Sequence, residues 1–121
     1  MTTHVGLKER STHVYTATIK DENSVVVPAA SLNTMTLTLY AERTGTIINS
    51  RSQQNILNAN NVTISSGGVL VWTMQPADNA IVNSALSVEP HIALFEWTYS
   101  SGTKYGKHQI RLMVENYTKV S

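Results

Sequence analysis

Apolar residues recur at every second position in two neighbouring stretches late in the chain. From Glu89 to Tyr99 (EPHIALFEWTY) the row is Ala93, Phe95, Trp97 and Tyr99. From Lys107 to Glu115 (KHQIRLMVE) it is Ile110, Leu112 and Val114. A period of two is that of a strand with one buried face. The glycine-bearing SSGTKYG between the stretches predicts a β-hairpin, with Tyr99 opposite Lys107 and the inner face a core wall. In Asn33–Glu42 (NTMTLTLYAE), Met35, Leu37, Leu39 and Ala41 alternate with Thr34, Thr36, Thr38 and Tyr40. Thr12–Lys20 sets Tyr15, Ala17 and Ile19 against Thr16 and Thr18. One buried face and one wet face is the habit of antiparallel sheets.

The remaining segments give weaker signals. Val25-Val26-Val27 runs into Pro28, which cannot donate to a ladder, so it reads as a short or edge strand. Ala29–Leu32 fits one helical turn. Thr46–Arg51 reads as a strand, 53–61 as a loop or weak strand, and Val62 with Ile64 as a short strand before Ser65-Ser66-Gly67-Gly68. Val69–Met74 (VLVWTM) is nearly all apolar and reads as a central strand. Residues 77–82, with Pro76 near the first turn, predict a short helical crossover. The sum is an all-β antiparallel sandwich of seven to eight strands with one short helical crossover. Its expected core is Tyr15, Ile19, Leu37, Leu39, Val71, Trp72, Phe95, Trp97, Ile110 and Leu112. Residues 1–11 read as a polar N-terminal arm, 12–119 as a single domain and 120–121 as a tail.

Composition narrows the function classes. Charged residues make up 14% of the 121, and Thr, Ser and Asn fill the deficit. Net charge is +1 with basic residues scattered singly, so no nucleic-acid footprint is expected. There is no cysteine, which removes disulfides and thiolate metal sites. No apolar run reaches the ~20 residues of a membrane span, and MTTHVGLKERS lacks the apolar core of a signal peptide. The expectation is synthesis in a cytoplasm without export. The sequons at Asn61 and Asn116 are then read as chance.

Candidate chemistry is sparse. In the predicted hairpin register His91 pairs near Glu115 and His108 near Thr98, about eight strand positions apart. That is too far to share a metal at ~3.3 Å per residue. His4, His13, His91 and His108 therefore read as surface or rim residues. Glu42 and Glu96 project outward, and no carboxylate pair, GxSxG or phosphate loop is present. No catalytic residue, cofactor or metal is expected. Trp97 shares the core phase with Phe95, while Tyr40 and Tyr105 are expected to be exposed.

The order TATIKDENSVVV, LTLYAERTGTIINSR, VLVWTM, ALFEWTYSSGTKYG and HQIRLMVEN resembles small immunoglobulin-like structural proteins of tailed bacteriophages. The likeness covers residues 12–119, and FEWTYSSGTKYG is its most distinctive part. It implies an immunoglobulin-like sandwich without enzyme activity, located in the virion and assembled in the bacterial host cytoplasm. The implied role is capsid decoration (a cement protein) bound to the major capsid protein. A neck, tail or baseplate adaptor on other virion proteins is the alternative, and a carbohydrate-binding or adhesion module a further one. A homo-oligomer on the particle is compatible with either virion role. Neither nucleic acid nor membrane is an expected partner. The expected partner contacts are Thr2, His4 and Leu7 on the arm, the edge at Val25, Val26 and Val27, and Lys104 and Tyr105 in the hairpin turn. A buried Trp97 would count against sugar binding.

Overall fold

The computed structural model describes residues 3–8, 10–21, 23–83 and 85–116. Eight strands follow in order: β1 (Thr3–Lys8), β2 (His13–Thr18), β3 (Leu32–Ala41), β4 (Gln54–Asn55), β5 (Val62–Ile64), β6 (Val69–Met74), β7 (Val88–Tyr99) and β8 (Lys104–Glu115). Single 3-10 turns at Ala29–Ser31 and Pro76–Asn79 supply the only helical elements among the described residues. The strands form a five-stranded sheet, β1-β8-β7-β3-β4, and a three-stranded sheet, β2-β6-β5. The chain is therefore an all-β sandwich of two layers.

The threonine-rich alternation of β3 decides the register of the larger sheet. Met35, Leu37, Leu39 and Ala41 are buried, and β3 lies antiparallel to β7 with Leu37 opposite Phe95. Across the layers Tyr15 stacks on Phe95 at 6.0 Å and Trp72 meets the same ring edge-on at 5.8 Å. Such aromatic pairs add roughly 0.5–1.5 kcal/mol each beyond burial. Ile110, Leu112 and Val114 of β8 close the core wall. Val71 and Tyr15 are only half-buried: β6 alternates, with Leu70, Trp72 and Met74 inward, so its apolar run has an outer face as well.

Three expected features differ. The hairpin turn is tighter than SSGTKYG, because Tyr99 pairs with Lys104 and only Ser100–Thr103 turns. Ser100, Ser101 and Gly102 all take positive φ (54°, 59° and 82°), and the Thr103 amide and hydroxyl both donate to the Ser100 carbonyl. Gly102 N–H also donates to Asn33 Oδ1. Consequently Lys104 and Tyr105 open β8 and do not belong to the turn. Second, Val25–Val27 is not a strand. Asp21 Oδ1 accepts the amides of Asn23 and Val25, and a single bridge joins Lys20 to Val26. Thr46–Arg51 is likewise irregular, since Asn49 and Ser50 are left-handed, although Ile48 N–H donates to the Leu39 carbonyl.

Third, Thr3–Lys8 is not an arm. It is an edge strand, parallel to β8, with Thr3 opposite Ile110 and Lys8 opposite Glu115. Leu7 lies beside Val114 and is 4% exposed. Val5 and Leu7 alternate, but two apolar residues are too few to read as a strand period. What orders the segment is the far side of β8, whose Val114 row it covers.

Candidate functional site

Two buried polar nodes and one open cleft carry the chemistry of the sandwich. The first node is Arg51, held in the irregular segment before β4. Its Nε donates to Asp78 Oδ1 at 2.5 Å and its Nη2 to Oδ2 at 3.1 Å. Its Nη1 donates to Gln54 Oε1 and the Asn60 carbonyl, and Nη2 also to Asn61 Oδ1. Asp78 further accepts Asn49 Nδ2 and the Gln75 amide, so the carboxylate caps the 3-10 turn it sits in. The guanidinium lies 5.7 Å from the Trp72 ring centroid, close enough for cation–π attraction. Both partners are buried. Every oxygen of the carboxylate is occupied, so this node ties the β3–β5 connection to the β6–β7 crossover and offers no group to a substrate.

The second node is on β7. Glu89 accepts the Val82 and Asn83 amides at 2.8 and 2.7 Å, and His91 Nε2 lies 2.6 Å from its Oε1. Burial pushes the His91 pKa below its ordinary value, against the pull of the Glu89 carboxylate. The imidazole is therefore neutral, with Nε2–H donating. Burial works to raise Glu89, but the Val82, His91 and Asn83 hydrogen bonds outweigh it and hold the carboxyl below its usual range. His91 is thus a core residue and not the rim residue expected. It shares the phase of Ala93, Phe95 and Trp97, so the alternation already placed it and Glu89 inward. The Arg51–Asp78 pair had no such signal beyond Gln-Pro-Ala-Asp, a capping sequence.

The cleft opens at the tip of the β7–β8 hairpin, where β2 ends. It measures about 380 Å³ and is lined by Ala17, Thr18 and Lys20 from the end of β2 and beyond, and by Trp97, Tyr105 and Lys107 from the hairpin. A second dip of about 310 Å³ lies on the outer side of the same hairpin, between Thr34, Gln53, Glu96 and Lys107. Trp97 is 7% exposed. A Cβ on Gly106, its cross-strand partner, would overlap the indole ring, so glycine is what lets Trp97 lie flat on β8. Next to the cleft, Tyr15 Oη and His108 Nε2 are 3.1 Å apart. Burial raises the Tyr15 pKa and lowers that of His108, and the two rings share this hydrogen bond.

The expected contact residues divide between the two ends of the sandwich. Lys104, Tyr105 and the turn carrying Val25 and Val26 lie at the cleft end, because Asp21 of that turn lines the cleft with Tyr105. Val25 and Val26 are exposed (58% and 41%) but Val27 is buried. Its amide donates to the Ile19 carbonyl, so it is unavailable to a partner. Buried Leu7 is unavailable for the same reason. His4 stands opposite Arg111, away from the cleft, and Thr2 lies outside the described residues. Glu42 accepts a bidentate pair from Arg111 at 2.6 Å. His108 pairs with Phe95, four positions from His91 instead of eight, which is still about 13 Å along a strand. Among the described residues no group of three or more His, Asp or Glu could hold a metal ion.

The outer face of the smaller sheet presents Val14, Thr16 and Thr18 from β2, Val69, Val71 and Thr73 from β6 and Thr63 from β5. In register Val14 faces Thr73, Thr16 faces Val71 and Thr18 faces Val69. The face carries no charged residue. Comparison with family models, with characterised proteins and with solved structures finds no match.

Proposed function

We propose that this chain is an immunoglobulin-like virion structural protein of a tailed phage, without enzyme activity, that decorates the capsid by binding the major capsid protein. The strand order supports the immunoglobulin-like reading. Sheet β2-β6-β5 against β8-β7-β3-β4 reproduces the split of B, E and D from G, F and C in that architecture.

The observation that carries the docking role is the uncharged Val/Thr face of β2, β6 and β5. Interface cores are depleted in charge, and a flat β-branched surface presents area without desolvating ions. Burial of Trp97 removes its ring from any sugar-stacking platform. The test is occupancy on purified particles for the wild type and for Val14→Lys with Thr73→Lys, paired residues whose outward positions leave the core untouched. Many copies per particle, lost in the variant, are expected. Copies amounting to a single ring would move the protein to the neck or tail, and no copies would refute the virion role.

A further inference from the structure

We propose that the outer edge of β2 pairs with the same edge of a second copy, antiparallel and centred on Thr16, so that two three-stranded sheets become one. The pairing follows from the edge itself, wherever the protein works.

The ladder decides which backbone groups are available. Along a strand in an antiparallel sheet, successive residues turn their N–H and C=O groups to opposite neighbours. Thr73 N–H donates to the Asn61 carbonyl on the β5 side, and the Val69 carbonyl accepts from Ser65, so Val69, Val71 and Thr73 face away from β2. Their partners Thr18, Thr16 and Val14 therefore face away from β6. Ile19 N–H donates to the Gly68 carbonyl and Val27 N–H to the Ile19 carbonyl, which puts the 25–27 turn on the β6 side as well. Among the described residues nothing pairs with the other side of β2. Val14, Thr16 and Thr18 are exposed. Each offers one donor and one acceptor, and such an edge recruits another strand.

Sequence selects the occupant. The two sheets end on four edges, β1 and β4 in one and β2 and β5 in the other. β4 and β5 are two and three residues long, and β1 carries Lys8. Short edges and edge lysines keep sheets from joining. β2 has six residues (HVYTAT) and holds no Lys, Arg, Asp, Glu, Pro or Gly. Centred on Thr16, self-pairing sets Thr16 against the partner's Thr16 and Val14 against the partner's Thr18, so all three outward residues exchange both of their bonds. Lys20 then falls opposite the partner's Thr12, and no like charges meet. The contact uses the same patch on both copies, so it closes at two. Its axis stands perpendicular to the sheet, and the Val/Thr faces of the two copies lie side by side, uncovered.

The experiment is sedimentation equilibrium of the full-length protein from about 10 µM to about 1 mM, with backbone amide NMR over the same range. A monomer–dimer equilibrium is expected. Raising the concentration should slow amide exchange at Val14, Thr16 and Thr18 and leave Tyr15 and Ala17, already bonded to β6, as protected as before. Thr16→Lys and Thr16→Glu should each weaken association at least about tenfold at an unchanged urea midpoint, and mixing the two should restore a dimer. A protein that stays monomeric to about 1 mM would overturn the proposal. So would association that Thr16→Lys leaves intact, or new protection centred on Thr63 and Val71, which would mean stacking of the outer faces.

Discussion

Replacing Asp78 by Ala tests whether the first polar node holds the sandwich together. The substitution removes four hydrogen bonds, two of them from the guanidinium, and leaves Arg51 buried with only neutral acceptors at Gln54, Asn60 and Asn61. Breaking a buried pair from one side costs about 3–5 kcal/mol, because the remaining charge loses its partner. Total stability of a domain is about 5–15 kcal/mol, so the variant should be barely folded. With a urea m-value of roughly 1–3 kcal/mol/M, the midpoint should fall by on the order of 2 M. Removing both charges, as Arg51→Met with Asp78→Ala, should cost less than the two single changes summed, by roughly 2 kcal/mol. The assay is equilibrium urea denaturation followed by tryptophan fluorescence, since Trp72 lies against the guanidinium. A loss below about 1 kcal/mol for Asp78→Ala, or strict additivity in the double variant, would refute the reasoning.

Gly106→Ala should destabilise by roughly 1–3 kcal/mol, the cost of overpacking, with a shifted Trp97 emission, because the new methyl meets the indole. An unchanged midpoint would show that the ring has room. Acid should destabilise the fold: folded His91 and His108 bind protons less readily than the unfolded chain, whose histidines titrate near ~6.5. Stability is therefore lost as pH falls through that value, and Glu89, with its lowered pKa, adds a further loss once pH drops through the carboxylate range. A melting temperature that rises from pH 7 to 5 would contradict the histidine sign. Leu7→Ala should cost about 2–5 kcal/mol as a buried truncation, measured by urea melts; a loss under ~0.5 kcal/mol would return residues 3–8 to the status of a loose arm. Tyr15→Phe should cost about 0.5–1.5 kcal/mol in urea melts, because the hydrogen bond shared with His108 is lost.

The strands with a long, strict period were legible in the sequence. β3 takes the inward row expected of it, and β7 and β8 bury Phe95, Trp97, Ile110, Leu112 and Val114. The register of the hairpin was not, because Lys104, Tyr105 and Gly106 look like turn residues until three successive positive φ angles close the turn before them. β1 was invisible because its order comes from a strand at the other end of the sequence. The polar nodes fall between these cases. Glu89 and His91 lay in phase with the core row, whereas Arg51 and Asp78 meet only after two irregular segments have folded.

The pairing of β1 with β8 also sets an order in time. Thr3 and Ile110 are neighbours in the sheet yet lie 110 − 3 = 107 positions apart along the chain. At roughly 5–20 residues per second, a ribosome needs about 5–20 s between them. Throughout that interval the first strand has no edge to join. Contacts this distant in sequence slow folding. The newly made chain therefore presents unfinished sheet edges until its last strand emerges, and it is in that window, before the sandwich closes, that it is most exposed to wrong partners.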